Sequence, residues 1–229
     1  MQMTKRFIYP PRPKTAVQRH LLEPFAAAGW KAQIKYNDDR IVLSCDDSGV
    51  EMYNRHGELR VKSTLPTNVQ DQVFQVLDML NLDRSAWNYL DGGLLHSKGK
   101  IWNNTIVLWD LLVANGTWLL GTTYAERYNR LVEASGRVPF KMIVKQTEFT
   151  LGYKLTENIF IPITYDNPED VWNIVDQMNR SVGWAGSGEP TLEGCVMKNY
   201  NGTLELATKE ANNDSWMARS RVVTGRHRY

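Results

Sequence analysis

The sequence has little cysteine and no long hydrophobic run. Its 229 residues include two cysteines, Cys45 and Cys195, and both lie in apolar segments that resemble strands. Two such thiols without metal-ligand spacing predict a reducing compartment and no disulfide framework. No apolar run approaches the ~20 residues that a membrane-spanning helix needs, and the N-terminus lacks the apolar core of a signal peptide. We therefore expect a cytoplasmic protein.

The chain also lacks a strong charge of either sign. Its formal net charge is +2, and hydrophobic residues make up 42%, which is ordinary for a globular protein of this length. Net charge alone therefore does not indicate a nucleic-acid-binding protein. Basic residues are nevertheless concentrated at both ends, where they could line a phosphate track or form solvated tails. They are Lys5, Arg6, Arg12, Lys14 and Arg19 at one end, and Arg219, Arg221, Arg226, His227 and Arg228 at the other.

Hydrophobic periodicity and turn residues predict an α+β fold without internal repeats. Three prolines make residues 7–14 extended. The predicted helices cover residues 16–29, 68–82 with Asn68 as the cap, 123–134 and 167–179. The predicted strands form mostly antiparallel hairpins at 31–36, 40–46, 50–53, 87–95, 104–112, 141–146, 149–154, 192–198, 203–207 and 215–222. Turns or loops are predicted at Ser97–Lys100 and around Gly183, Gly186 and Gly188.

Seven short motifs follow one another along this pattern. The first, Lys35–Arg40, places a lysine, two carboxylates and an arginine between two strands, and in isolation it is more typical of a solvated hairpin turn than of a reactive site. The motifs are Lys35-Tyr36-Asn37-Asp38-Asp39-Arg40, Asn54-Arg55-His56-Gly57, Leu90-Asp91-Gly92-Gly93, Trp109-Asp110-Leu111-Leu112, Tyr124-Ala125-Glu126-Arg127, Glu193-Gly194-Cys195-Val196-Met197-Lys198 and Arg219-Ser220-Arg221.

In this order the motifs resemble those of the covalent nucleotidyltransferases, the superfamily of ATP-dependent DNA ligases, RNA ligases and mRNA-capping guanylyltransferases. The resemblance spans residues 8–221. It implies an α+β nucleotidyltransferase (ATP-grasp-like) domain over residues 1–229, with antiparallel sheets flanked by helices and no C-terminal oligonucleotide-binding barrel.

The resemblance also assigns roles to individual residues. Lys35 would attack the α-phosphorus of ATP, and nearby cations would lower its pKa and hold the phosphates. Glu193 would help to hold Mg²⁺. The cations are Lys198, Arg219 and Arg221. The resemblance also implies Gln33 at the purine edge, Trp109 stacked on the base, and Arg40 and Arg55 at the ribose or phosphates. The remaining residues implied at the nucleotide are Ile34 and Asp91.

Five positions depart from the family pattern. Asn37 replaces an acid that supports the lysine, and Asp38 replaces a glycine, although aspartate tolerates a left-handed backbone better than most residues. Gly93 replaces a glutamate that contacts the ribose or the metal. Arg219 and Arg221 replace lysines and keep the charge.

The resemblance implies an ATP-dependent polynucleotide ligase that seals 5′-phosphate/3′-hydroxyl nicks in duplex DNA, similar to small viral-type enzymes of DNA repair and replication. We expect a monomer that uses ATP and Mg²⁺. Two alternatives remain open at this stage. One is a GTP-dependent capping guanylyltransferase or an RNA ligase. The other is a degenerate ligase-like module that binds nucleotide or nicked nucleic acid without catalysis.

Overall fold

A computed structural model of the chain describes residues 5, 7–13, 15–60, 65–95, 101–102, 104–183, 190–207 and 214–223. The strands are β1 Thr15–Ala16, β2 Lys31–Tyr36, β3 Asp39–Asp46, β4 Gly49–Asn54, β5 Asn88–Leu95, β6 Thr105–Ala114, β7 Thr117–Trp118, β8 Pro139–Val144, β9 Thr147–Lys154, β10 Ile159–Pro162, β11 Thr164–Tyr165, β12 Leu192–Lys198 and β13 Met217–Arg221. The α-helices are α1 Glu23–Ala27, α2 Thr67–Met79, α3 Tyr124–Ala134 and α4 Pro168–Val182, and short 3₁₀ helices cover Arg19–Leu21 and Asp214–Trp216.

The strands form two sheets. In the smaller sheet the order is β1-β13-β12-β2-β11, and in the larger it is β4-β3-β5-β6-β10-β9-β8, with β7 paired to β6. Most neighbours are antiparallel, as predicted, but β10 runs parallel to β6 and β1 runs parallel to β13. The chain is therefore an α+β fold in which the small sheet joins strands from the two ends of the described chain.

Helices cover the outer faces of the sheets. Helix α4 packs on β2 and β12, and α3 packs on β6. Each of these helices buries one apolar stripe, as a period of 3.6 residues requires. Thr123 caps α3 through a capping box with Glu126, and Asn167 caps α4. These caps explain why the sequence located both helix starts correctly.

Three sequence predictions are wrong. The helix predicted over 16–29 is a 3₁₀ turn followed by the five-residue α1, which begins only where Pro24 can occupy its first turn. Asn68 lies inside α2, which follows Pro66 rather than a side-chain cap. Residues 203–207 contain only a single bridge at Thr203 instead of a strand.

Several other predictions fall outside the described residues, including the turn at Ser97–Lys100, Gly186 and Gly188. The same holds for some of the terminal basic residues, namely Arg6, Lys14, Arg226, His227 and Arg228. Both cysteines are fully buried free thiols, as expected from their apolar surroundings. Within the part of the chain that the structure describes, no helix is long and apolar enough to cross a membrane.

Candidate active site

A cleft of about 640 Å³ opens where the two sheets meet. One wall comes from β2, β12 and β13 of the small sheet, and the other from the start of β3, the turn after β4 and the middle of β6. All of the predicted site residues line this cleft except Asp91, which lies beneath its surface. The lining set is Gln33, Ile34, Lys35, Arg40, Arg55, Trp109, Glu193, Lys198, Arg219 and Arg221.

Lys35 and Glu193 face each other across neighbouring strands. The Nζ of Lys35 lies 2.5 Å from Oε2 of Glu193, and the Nε of Arg221 lies 3.3 Å from the same oxygen. Both partners of the closer pair are largely but not completely buried, so the lysine can be reached from the cleft. The three strands β2, β12 and β13 thus each contribute one charged group to a single cluster.

Glu193 reaches this cluster because β12 is irregular at its start. Side chains alternate along a strand, so Val196 and Lys198 share a face that residue 193 would not share in a regular strand. The register shifts between Leu192 and Gly194, and this shift brings Glu193 to the cleft. Gly194 has φ +142°, and a Cβ there would lie 2.2 Å from the Ser220 carbonyl oxygen. The Glu-Gly pair of the motif is therefore a geometric requirement.

Arginines crowd the same wall. Burial lowers the pKa of Arg219, and repulsion from Arg221 and Arg12 lowers that pKa further, partly opposed by Glu193. The Nε of Arg219 is buried without a hydrogen-bond partner among the described residues. An anion bound here would relieve the repulsion and satisfy that donor, so this wall is suited to phosphate groups.

Lys198 is buried under the cleft, with 3% of its surface exposed. Its Nζ donates to the Tyr124 hydroxyl at 2.8 Å and lies 4.1 Å from the centroid of the same ring. Burial lowers the pKa of Lys198 to about 7, opposed by the nearby charges of Asp110 and Asp91. The group can therefore change charge near neutral pH when an anion approaches.

The Tyr124 hydroxyl also joins two predicted nucleotide-binding residues. It donates to the Trp109 carbonyl oxygen at 3.0 Å and accepts from Nε2 of Gln33 at 3.1 Å. Gln33 is only 2% exposed, so this tyrosine fixes the amide that was predicted to meet a purine edge. Tyr124 belongs to the Tyr124-x-x-Arg127 motif, but the sequence alone predicts no place for it in the site.

Arg40, Asp91 and Trp109 form a second cluster on the opposite wall. Nε of Arg40 donates to Oδ1 of Asp91 at 2.7 Å, and the indole Nε1 of Trp109 donates to Oδ2 of Asp91 at 2.8 Å. The guanidinium carbon of Arg40 also lies 5.2 Å from the Trp109 ring centroid, so only the opposite ring face could stack on a base. Burial raises the pKa of Asp91, and Arg40 opposes that rise. Asp91 thus orients two cleft residues and is itself 1% exposed.

A buried ion pair supports both walls from below. Nε and Nη2 of Arg127 donate to the two carboxylate oxygens of Asp110 at 2.7 and 3.1 Å, and both residues are almost completely buried. Asp110 follows Trp109 directly, and Arg127 lies one helical turn after Tyr124. The pair therefore fixes β6 to α3 at the level of the cleft. The sequence alone predicts no role for either residue, although both belong to the motifs that carry the resemblance.

Two other positions have clear local partners. Arg55 is exposed at the rim of the cleft, and its Nε donates to Nε2 of His56 at 2.9 Å. Asn37 is buried, and its Nδ2 donates to the Pro190 carbonyl oxygen at 2.9 Å. A carboxylate at position 37 could not donate this bond, so the amide suits the local structure better than the acid of the family pattern.

Comparisons with solved structures identify the fold. The chain superposes on the mycobacterial DNA ligase D complexed with ATP and MES with a TM-score of 0.53, 16% identity and coverage of 93% of this chain and 60% of that one. For the ligase domain of LigD from M. tuberculosis the corresponding values are 0.51, 17%, 92% and 59%. For a Lig E DNA ligase they are 0.50, 11%, 94% and 70%.

The fold is that of the nucleotidyltransferase domain of ATP-dependent DNA ligases, as the sequence motifs implied. The chain spans about 60% of the length of the mycobacterial DNA ligase D structure and of the M. tuberculosis LigD ligase domain. No protein-family model matches the sequence, and no curated protein matches it. At this identity the comparisons show a shared fold.

Proposed function

We propose that the protein is an ATP-dependent polynucleotide ligase that seals 5′-phosphate/3′-hydroxyl nicks in duplex DNA through a lysyl-AMP intermediate on Lys35. One observation carries the proposal. On a ligase nucleotidyltransferase fold, Lys35 lies in a cleft beside Glu193 and Arg221, with Arg219 and Lys198 on the same wall. A reachable lysine beside a phosphate-binding wall is what phosphoramidate chemistry needs.

In the first step the Nζ of Lys35 would attack the α-phosphorus of ATP. A P–N bond forms, the bond from the α-phosphorus to the bridging oxygen breaks, and pyrophosphate leaves with the electron pair of that bond. Lys35 must lose a proton before it attacks, and Oε2 of Glu193, 2.5 Å away, is placed to orient the amine and to accept its hydrogen bond. Arg219 and Arg221 would hold the departing phosphates.

The two remaining steps would transfer AMP to the nucleic acid and release it. The 5′-phosphate of the nick attacks the lysyl-AMP, which forms a 5′-5′ pyrophosphate and frees Lys35. The 3′-hydroxyl then attacks that 5′-phosphate, the strand is sealed and AMP leaves. Arg12 and Arg55 lie at the cleft and could contact the nucleic-acid backbone. Arg19, by contrast, is held by Glu169 and Asp176, which favours a structural role for this part of the basic N-terminal segment.

The residues present fit a divalent cation only in part. Glu193 offers one carboxylate in the cleft, and the described residues contain no group of three possible metal ligands. Mg²⁺ is commonly held by one or two carboxylates together with substrate phosphates. Glu193 would then hold Mg²⁺ jointly with ATP, and the cation would neutralise charge on the pyrophosphate.

Adduct formation tests the proposal directly. The protein is incubated with α-labelled ATP or α-labelled GTP and Mg²⁺, and the covalent adduct is measured after denaturing electrophoresis. Wild type should form an adduct with ATP that is labile to acid and stable to alkali, as a P–N bond requires, and Lys35→Ala should form none. Lys31→Ala is the matched control, because Lys31 lies on the same strand, outside the cleft, in an ion pair with Asp166.

Each other result points elsewhere. An adduct that persists in Lys35→Ala would refute the assignment of Lys35 as the nucleophile, and an adduct with GTP alone would indicate a guanylyltransferase. No adduct with either nucleotide, with binding of nicked duplex retained, would indicate a non-catalytic module. Sealing of DNA and RNA nicks, including pre-adenylylated ones, then compares the two nucleic acids.

A further inference from the structure

The side chain of Asp38 lies against Gly93. Gly93 lies on β5 opposite Arg40 of β3, and Asp38 comes just before β3. A Cβ built on Gly93 would lie 2.6 Å from Oδ2, 2.7 Å from Cγ and 2.8 Å from Cβ of Asp38. All three of the nearest atoms belong to that one aspartate. The side chain of Asp38 therefore fills the volume into which a side chain at position 93 would project.

The side chain of Asp38 and any side chain at position 93 therefore exclude each other. The Cβ of Asp38 is among the clashing atoms, so rotating the carboxylate away would not make room for a side chain at 93. Asp38 is not among the described residues with positive φ. Its backbone therefore does not need glycine, contrary to the left-handed conformation considered from the sequence. The combination of aspartate at position 38 and glycine at position 93 therefore follows from this shared space and not from backbone strain.

Resting on the function proposed above, we propose that Asp38 supplies the carboxylate of this wall in place of a residue at position 93. We further propose that it accepts hydrogen bonds from the sugar hydroxyls of the bound nucleotide. The acid lies in the turn before β3 instead of on β5, and it stays at the same point of the cleft. Asp38 is half-buried and lines that cleft.

The distribution of charge favours the sugar as the partner of Asp38. Phosphate groups are attracted to the wall that carries Arg219 and Arg221, and they are repelled by a carboxylate. Asp38 belongs to the other wall, beside the cluster of Arg40 and Trp109. Of the parts of a nucleotide, the sugar offers hydroxyl donors to such an acceptor.

A double-mutant cycle tests the exchange. The proteins are wild type, Asp38→Gly, Gly93→Glu and Asp38→Gly/Gly93→Glu. Urea unfolding should show Gly93→Glu to be less stable than wild type, and adding Asp38→Gly should recover much of that loss. Asp46→Gly, at the far end of β3, replaces Asp38→Gly in a control cycle and should recover nothing.

Nucleotide binding tests the ligand. Calorimetry compares AMP with its 2′-deoxy and 3′-deoxy forms in a Lys35→Ala background, where no adduct can form. With Asp38 present, AMP should bind about tenfold more tightly than at least one deoxy form, as loss of a hydrogen bond to a charged group implies. Asp38→Gly should abolish that preference, and the double exchange should restore it.

The outcomes separate this inference from the proposed function. Additive effects of the two substitutions on stability would refute the claim that Asp38 takes the place of a side chain at position 93. An unchanged preference among the three sugars in Asp38→Gly would refute the claim that Asp38 binds the sugar hydroxyls. A loss of affinity in Asp38→Gly that is equal for all three nucleotides and appears only with Mg²⁺ would indicate a cation site instead. Failure of the wild type to form an adduct would count against ligase activity, whereas the nucleotide-binding results would still test the role of Asp38.

Discussion

Replacing Lys198 by methionine should change how stability depends on pH. The side chain keeps its length and apolar body and loses its charge. In the folded protein burial lowers the pKa of Lys198 to about 7, whereas an unfolded lysine titrates near 10.4. Between these values the unfolded chain binds one more proton than the native chain. The free energy of unfolding therefore rises with pH in this window, and this contribution is lost as the pH falls towards 7.

The size of the effect follows from proton linkage. A full proton of difference corresponds to about 1.4 kcal/mol per pH unit. Because the native group is still half-protonated at about pH 7, the gain from pH 7 to pH 9 is about 2 kcal/mol. The Lys198→Met variant lacks this contribution, so the difference in stability between wild type and variant should shift by that amount in favour of wild type.

Urea unfolding of both proteins at pH 7, 8 and 9 measures this difference. Titration of all other groups is common to the two proteins and cancels. Lys141→Met is the control, because it removes a half-exposed lysine that pairs with Glu148 in place of a buried one. A wild-type-minus-variant difference that stays constant from pH 7 to pH 9 would refute the argument that Lys198 is buried with a lowered pKa.

Three further predictions concern the residues that support the cleft. Arg127→Met should cost about 3–5 kcal/mol in urea unfolding, because it leaves the buried Asp110 carboxylate without its partner; Arg180→Met, on an exposed face of α4, should cost far less. Gly194→Ala should lower thermal stability by about 3 kcal/mol or more and reduce adduct formation, since the bulge that orients Glu193 cannot accept a Cβ; full activity would show that the bulge is dispensable. Tyr124→Phe should cost about 1–3 kcal/mol, since it leaves buried polar groups unpaired, and a stability equal to wild type would show that water replaces the hydroxyl.

Local signals predicted much of the fold. The strands β2, β3 and β4 were found from their alternation and turns, and α3 and α4 from helical periodicity and from the residues that begin or end them. The helix predicted at 16–29 failed because periodicity alone does not show that Pro24 sets the helix start and that residues 15–16 pair with β13. The short strand β10 was missed because its four apolar residues have no pattern of their own, and its identity comes from parallel pairing with β6.

The candidate site was located from motifs, but its internal connections were not. The motifs placed Lys35, Glu193 and Arg221 together, and the register of β2, β12 and β13 brings them into one cluster. The position of Tyr124 under Lys198 depends on how α3 packs against the sheets, which no local pattern encodes. The relation between Asp38 and Gly93 was likewise hidden, because two separate departures from a pattern look like two losses until their atoms are seen to compete.

The pairing of β2 with β12 has a consequence for folding. Lys35 and Gly194 are register partners although about 160 residues separate them, and loop closure of that length is entropically costly and slow. During synthesis the hairpin of β3 and β4 can form early, but the lysine meets its glutamate and arginines only after β12 and β13 have emerged. The proposed reactive centre is therefore completed late, and a partly made chain would carry Lys35 without Glu193, Arg219 and Arg221.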